Sequence, residues 1–196
     1  MRGSLQEERV GDLSQIGLAA VAFSGDKLLG GPQSGIIVGN KDIIDRVRRN
    51  PVARAVRIDK ITALLLGFTL DNYLEGRVIP TETYRLINRS EEDRKQLANK
   101  LSSLLSHIGF KQEVVKTIGR IGSGALPLYP LPSYAVALDE KNYILDVVAK
   151  RFRQARIPVI GHTSLGLFEL DIAAVFDDEI EMIAESASGV IEGLNE

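Results

Sequence analysis

The chain has 196 residues, of which 44% are hydrophobic and 26% are charged, and its formal net charge is −2. This composition is typical of a folded globular protein and argues against a disordered chain, and the small net charge gives no global attraction to nucleic acid or membrane. The sequence has no cysteine and only two histidines, far apart, which excludes disulfides, thiol catalysis and cysteine metal sites, and no metal site is expected.

The first predicted elements are two short strands on either side of a glycine-rich loop. Residues 18–24 (LAAVAFS) form an apolar run that predicts a buried strand, and residues 34–39 (SGIIVG) predict a second strand bounded by glycines. Apolar side chains at positions 43, 44 and 47 then predict a helix over residues 41–50. The start of the loop is therefore expected to be held on a rigid scaffold.

A longer apolar pattern follows this helix. Asn50 is a good N-cap and Pro51 suits the first helical position, so the chain is expected to restart a helix there. Apolar residues recur with helical spacing as far as about Tyr73, which predicts one long helix that Gly76 and Pro80 bring to an end.

The second half of the chain is predicted to alternate helices and strands. A charged amphipathic helix over residues 90–107 begins at a capping box of Ser90 and Asp93. The remaining predictions, in order, are a strand over 112–118, a Gly/Pro-rich loop over 119–132, a strand over 133–138, a helix over 140–156, two paired strands around 163–166 and a helix over 177–194. This order predicts a small α/β domain with a mostly antiparallel sheet and helices on one face.

The loop between the first two strands (FSGDKLLGGPQSG) holds a single lysine, Lys27. Most lysines are simply exposed, and most such loops are turns. A lysine anchored beside a buried strand can instead be desolvated, which favours the neutral, nucleophilic amine. Ser24 adds a hydroxyl that could hold a phosphate, and Gly30 and Gly31 allow backbone N–H groups to approach an anion. An amine beside a phosphate pocket is what a Schiff base with pyridoxal phosphate requires.

Four segments carry a resemblance to a known family. The stretch SGDKLLGGPQSGIIVG closely resembles the lysine segment of the bacterial selenocysteine synthases, the L-seryl-tRNA(Sec) selenium transferases. Three further matches follow in the same order along the chain: NPVARAVRIDKIT, GSGALP…LPSYAV and PVIGH…LFELDIAAVF. The resemblance covers nearly the whole chain after about Val10.

This resemblance implies a fold-type-I enzyme that depends on pyridoxal 5′-phosphate, with seryl-tRNA(Sec) and selenophosphate as substrates and a homo-oligomeric assembly. Lys27 resembles the Schiff-base lysine, and Ser24 resembles a phosphate-binding hydroxyl. Asp26 resembles an active-site residue of the family. Gly30 and Gly31 belong to the same cofactor segment.

The resemblance also implies that Arg54 and Arg57 bind selenophosphate. Independently, residues 41–60 carry seven basic and three acidic side chains, a segment that could face an anion. A spacing of three residues would place both arginines on one face of the predicted long helix, in its first two turns, where the macrodipole favours an anion. The alternative interpretation is a solvated basic face.

Two positions depart from the family pattern. His162 stands where an arginine is expected after PVIG, and Asp171-Ile172-Ala173 replaces the usual LDLR. We expect His162 to be a packed or hydrogen-bonded residue and not a catalyst.

The resemblance further implies that this chain is the C-terminal portion of such an enzyme. Residues 1–75 are then the end of the cofactor-binding large domain with its linking helix, and residues 76–196 are the small domain. Only 26 residues precede Lys27, too few for the doubly wound sheet that carries the rest of such a site, so the isolated chain is expected to be inactive. A cytoplasmic location is expected, because no apolar run could cross a bilayer and no signal-peptide pattern is present.

Two other functions remain open. The chain could belong to another fold-type-I pyridoxal phosphate lyase or aminotransferase, although such an enzyme needs one carboxylate-binding arginine and not a pair. The isolated chain could also be a structural or oligomerisation module, and for the chain alone this is the interpretation that the sequence favours most.

Overall fold

The computed structural model describes residues 9–77, 81–121 and 126–194. The chain divides into two compact units, one made of Met1–Arg85 with Ile121–Tyr129 and the other of Leu86–Arg120 with Pro130–Glu196. Each unit has its own antiparallel sheet. The predicted boundary after residue 75 stays a prediction.

The first unit begins with a short helix and a two-stranded sheet. Helix α1 (Val10–Gln15) precedes strands β1 (Ala20–Ser24) and β2 (Gly35–Gly39), which pair antiparallel. The register places Ala20 opposite Gly39 and Phe23 opposite Ile36. Both strands were predicted from their apolar runs, and the structure confirms them, but no residue of β1 is buried, so the prediction of a buried strand is wrong in that respect.

Four helices follow in the first unit and across its end. They are α2 (Lys41–Arg49), α3 (Pro51–Ala55), α4 (Lys60–Leu74) and α5 (Glu82–Asn88). The prediction of one long helix from Pro51 to Tyr73 is therefore wrong, because the helix stops at Ala55 and a new one starts at Lys60. Helix α5 was not predicted.

The break between α3 and α4 has a local cause. Asp59 adopts an extended backbone and caps the second helix, since its carboxylate accepts the backbone N–H groups of Ile61 at 2.8 Å and Thr62 at 3.0 Å. The Thr62 hydroxyl donates to the other carboxylate oxygen at 2.6 Å. An aspartate with these three donors stabilises a helix start better than a helix interior, so the apolar periodicity is interrupted without being lost.

The second unit is built on a four-stranded sheet and three long helices. Helix α6 (Glu91–Ile108) precedes β3 (Glu113–Ile121) and β4 (Leu126–Asp139), and α7 (Leu145–Gln154) precedes β5 (His162–Ser164) and β6 (Leu167–Asp171). A 3-10 turn (Ile172–Ala174) and α8 (Glu179–Leu194) close the chain. The strand order is β3-β4-β6-β5, and β6 pairs antiparallel with both of its neighbours.

Two predictions in this unit can be compared directly with the structure. The Ser90 cap is confirmed, because the Ser90 hydroxyl accepts the Asp93 N–H at 3.0 Å, while the Asp93 carboxylate accepts the Ser90 hydroxyl at 2.6 Å. The predicted loop over residues 119–132 is wrong where it is described: β3 continues to Ile121 and β4 already begins at Leu126, and residues 122–125 lie outside the described chain. Pro130 and Pro132 lie outside the ladder of β4 with β6, which covers only Ala135 to Asp139, so they remove no hydrogen bond from that ladder.

The buried core lies in the second unit. Among the described residues, every buried hydrophobic side chain lies at or after Ala98. Phe110, Phe152 and Phe168 stack in sequence at its centre, with ring centroids 6.2 and 5.6 Å apart. In the first unit, by contrast, α4 exposes large apolar side chains, including Ile61 (71%), Leu64 (74%) and Phe68 (64%). None of the described helices has the length and apolar character needed to span a membrane.

Candidate functional site

The loop that carries Lys27 is folded onto itself by backbone hydrogen bonds. The Gly25 N–H donates to the Ser34 carbonyl at 2.8 Å, which continues the β1–β2 pairing into the loop. The Gly31 N–H donates back to the Gly25 carbonyl at 2.8 Å, and the Gly30 N–H donates to the Lys27 carbonyl at 3.0 Å. The loop is therefore a fixed turn, as its position after a predicted strand suggested.

Close packing explains why the loop is rich in glycine. Gly30 has a φ of +73°, and a Cβ on it would lie 2.9 Å from the Thr81 methyl carbon. A Cβ on Gly31 would lie 3.0 Å from the Gly25 carbonyl oxygen and 3.4 Å from a methyl carbon of Leu66 in α4. The loop thus rests on α4, with Leu66 and Thr69 beneath it. Thr69, a buried polar residue of α4, is a supporting residue that the sequence reasoning missed.

Ser24, Asp26 and Lys27 lie together at the end of β1. The Ser24 hydroxyl donates a hydrogen bond to the Asp26 carboxylate. This bond lowers the pKa of Asp26, with help from the residue's own backbone N–H and from the charge of Lys27. The Asp26 carboxylate therefore stays charged at neutral pH beside the lysine.

The surroundings of these side chains differ from the sequence expectation in two ways. Lys27 is exposed, so the desolvation expected for it is not supplied by the described part of this chain. The N–H groups of Gly30 and Gly31 are already used within the loop, so they do not point to an anion in this conformation. If these glycines lie beside a cofactor, their contribution would be the room left by their missing side chains and not hydrogen bonds from their N–H groups.

Arg54 and Arg57 do not share a helix. Arg54 lies in α3, whereas α3 ends at Ala55 and Arg57 lies in the extended connection before Asp59. The predicted i, i+3 placement on one helix face is therefore wrong, and the cause is the Asp59 cap that starts α4. Both arginines are exposed, and they flank the start of the helix that supports the lysine loop.

The two family departures in the second unit hold structural contacts. His162 Nε2 lies 2.6 Å from the Glu169 carboxylate. The Asp171 carboxylate accepts hydrogen bonds from the Thr117 and Ser133 hydroxyls, at 2.6 and 2.7 Å, and from the Ala173 N–H at 2.7 Å. Among the described residues, no group of three or more histidine or acidic side chains could hold a metal ion.

The fold of the chain is similar to that of a known α/β structure. A solved structure of D-glucosaminate-6-phosphate ammonia-lyase matches it with a TM-score of 0.61 and 20% sequence identity, over 93% of this chain and 46% of that one. This likeness confirms the predicted fold class, the C-terminal part of a fold-type-I enzyme with antiparallel sheets.

The chain belongs to the L-seryl-tRNA selenium transferase (SelA) family, whose sequence model matches residues 2–176. The L-seryl-tRNA(Sec) selenium transferase of Aquifex aeolicus is 36% identical over 184 residues, which is 93% of this chain and 41% of that protein. Its counterpart in Escherichia coli O45:K1 is 40% identical over 182 residues, 88% of this chain and 39% of that protein. The resemblance found in the sequence is confirmed, and the chain spans about two fifths of the length of the curated relatives it matches.

Proposed function

We propose that the full-length protein converts seryl-tRNA(Sec) to selenocysteyl-tRNA(Sec) with selenophosphate as the selenium donor, and that it uses pyridoxal 5′-phosphate. The observation that carries this proposal is an exposed lysine on a hydrogen-bonded loop, in a chain of the selenium transferase family. For the 196-residue chain alone we propose no catalytic activity.

The residues at the end of β1 fit the cofactor. The Lys27 amine is exposed on a loop whose backbone is fixed at three points, so it would be the covalent attachment point. Ser24, three residues earlier, would turn its hydroxyl from Asp26 to the cofactor phosphate. When bound, pyridoxal phosphate supplies an electron sink for negative charge on the α-carbon of an amino acid.

Lys27 would move the proton, and Asp26 would stabilise the charge that results. The Lys27 Nζ would accept the α-proton of the seryl group as general base. The negative charge of the exposed Asp26 carboxylate would then stabilise the Lys27 ammonium.

Arg54 and Arg57 would bind the selenium donor. Both guanidinium groups are exposed and carry the fixed fork of donors that suits a phosphate oxygen pair. Because Arg54 lies in α3 and Arg57 lies in the connection that follows it, and not on one helix face, they could approach one anion from two directions. Selenophosphate would be held there without help from the lysine loop.

A second candidate function is supported by one observation. The exposed apolar side chains of α4 would favour a structural or oligomerisation role for the chain, consistent with the homo-oligomer proposed for the full-length protein. A different pyridoxal phosphate lyase or aminotransferase is the remaining alternative, and the likeness to the ammonia-lyase supports it only through the fold. The predicted cytoplasmic location stays a prediction.

The proposal is tested with the full-length protein and with Lys27→Ala. The full-length protein should bind pyridoxal phosphate stoichiometrically, show the visible absorbance of a lysine-linked cofactor and form selenocysteyl-tRNA from seryl-tRNA. Lys27→Ala should lose the absorbance band and the product. Product formation that survives Lys27→Ala would exclude this lysine as the catalytic group.

A further inference from the structure

We propose that Arg46, Arg48 and Arg49, at the end of α2, bind backbone phosphates of the RNA substrate. This inference rests on the proposed function, since it names a contact surface for the tRNA. These three residues are called the α2 arginines below. Nothing in the proposed chemistry uses them.

The charge of the segment is the first argument. Residues 46–57 contain five arginines and no acidic residue, in a chain whose formal net charge is −2. Two of the five, Arg54 and Arg57, are assigned to the selenium donor. The α2 arginines are thus a local excess of positive charge without a role, and single-sign clusters of this kind attract polyanions.

The structure leaves these side chains accessible. All three α2 arginines lie in the last turn of α2 and are exposed, whereas Ile43 and Ile44 on the same helix are half-buried. The acidic residues of α2 lie earlier: Asp42 is in the first turn, and Asp45 pairs with Lys41 at 3.6 Å. The positive charge is therefore concentrated at the C-terminal half of the helix.

Helix stabilisation explains only part of this charge. Cations near a helix C-terminus complement its macrodipole, which equals roughly half an elementary charge. The charge of one arginine would already compensate the macrodipole, and the charge of three arginines exceeds it several-fold.

The arrangement fits a chain of phosphates better than a single small anion. At about 100° per residue on a helix, Arg46 and Arg49 project about 60° apart, whereas Arg48 projects about 160° from Arg46 and about 100° from Arg49. Three such guanidinium groups cannot converge on one phosphate, but they can contact successive phosphates of a strand that crosses the end of the helix. Arginine is suited to this because its planar fork binds phosphate oxygens in pairs.

The test measures RNA affinity and its salt dependence in the full-length protein. The probe is an unacylated, fluorescently labelled tRNA(Sec) transcript, and affinity is read by anisotropy between about 50 and 200 mM salt. In Arg46→Gln/Arg48→Gln/Arg49→Gln we expect the affinity at low salt to fall about tenfold or more. The slope of log K against log salt should become shallower by roughly 0.7–0.9 for each phosphate contact removed.

Two matched variants separate this surface from general electrostatics. Lys95→Gln/Lys150→Gln/Arg153→Gln removes the same charge from exposed helix positions in the second unit, and it should leave affinity and slope unchanged. Arg46→Lys/Arg48→Lys/Arg49→Lys keeps the charge and should keep the slope. Far-UV circular dichroism checks the fold, and Arg48→Gln alone provides a milder substitution if the triple variant unfolds.

Two outcomes would overturn the inference. In one, the α2 glutamine variant, or Arg48→Gln alone if the triple variant unfolds, binds with the affinity and slope of the unsubstituted protein. In the other, the control triple loses as much as the α2 variant, which would indicate net charge and no local surface. The probe carries no serine, and the assay contains neither cofactor nor donor. The RNA-binding result can therefore be interpreted even if the proposed chemistry is wrong.

Discussion

His162 and Glu169 face each other across the ladder between β5 and β6, and His162 Nε2 lies 2.6 Å from the Glu169 carboxylate. The histidine side chain is 57% exposed, while the glutamate side chain is only 13% exposed. His162 therefore stabilises a partly buried carboxylate on the short strand β5, at a position where the family pattern leads one to expect arginine.

His162→Ala should weaken the second unit and leave the chemistry unchanged. Removing the histidine leaves the Glu169 carboxylate without this contact, so we expect a loss of about 1 kcal/mol in the free energy of unfolding. Denaturant unfolding of the variant measures it. The prediction fails if the folded full-length variant loses selenocysteyl-tRNA formation, because His162 would then act in the site.

Arg94→Met should be one of the more damaging single substitutions. The Arg94 side chain is only 3% exposed, and its guanidinium donates to the carbonyls of Leu86 at 2.9 Å, Ile87 at 3.2 Å and Pro132 at 3.1 Å. Methionine would leave these carbonyls without that donor, at a cost of about 3 kcal/mol. The matched control is Lys95→Met on the exposed side of the same helix, which should change stability by no more than about 0.5 kcal/mol. Equal effects of the two substitutions would contradict the structural role.

The ionised Asp59 carboxylate should stabilise the first unit, and this stabilisation should be lost in acid. Its pKa is lowered, first by the Thr62 hydroxyl and then by the N–H groups of Thr62 and Ile61. Because the folded pKa lies below the unfolded value, the stabilisation is complete above the unfolded pKa, about 3.9, and is lost as pH falls through the folded pKa.

The comparison for this prediction is with Asp59→Asn, which keeps an N-cap acceptor but cannot ionise. Helix content and the unfolding midpoint, followed from neutral pH into strong acid, should differ between the two proteins above about pH 4 and converge below it. A constant difference over the whole range would mean that the charge of Asp59 contributes nothing.

Arg54→Ala and Arg57→Ala should impair use of the selenium donor in the full-length protein. Charge-assisted hydrogen bonds to a phosphate are each worth about 1.5–3 kcal/mol, so either substitution should weaken donor use by about tenfold or more. Attachment of the cofactor at Lys27 should persist, as should the affinity for tRNA. Product formation at varied selenophosphate concentration measures donor use, and a parallel titration with tRNA measures tRNA affinity. If donor dependence were normal and tRNA affinity fell, the two arginines would instead belong with the RNA surface.

Amide hydrogen exchange should distinguish the two units in the isolated chain. Residues from about 80 to 196 should form the autonomous core, because the buried hydrophobic side chains of the described chain lie there. The two-stranded sheet should exchange faster, since an isolated pair of strands is marginally stable and its edges are open. Uniform, high protection from Leu18 to Val38 in a dilute monomer would refute this.

Several features could be predicted from the sequence because their causes are local. The strands before and after the lysine loop follow from short apolar runs bounded by glycines, and the start of α6 follows from Ser90 and Asp93, three residues apart. The β5–β6 hairpin follows in the same way from the turn around Leu165, which has a φ of +50°, and Gly166. The family could also be read from the lysine segment, since its residues are contiguous.

Other features were decided only by the tertiary structure, because they depend on partners distant in sequence. Nothing near Arg94 indicates that it is buried, since one of its acceptors lies 38 residues away. The prolines of β4 predict a loop locally, yet the strand extends over them, with β3 as its neighbour in the sheet and before the ladder with β6 begins at Ala135. Asp171 is held by hydroxyls 38 and 54 residues away. A residue's own neighbours determine caps, turns and periodicity, whereas burial and strand pairing depend on which distant segments share the remaining surface.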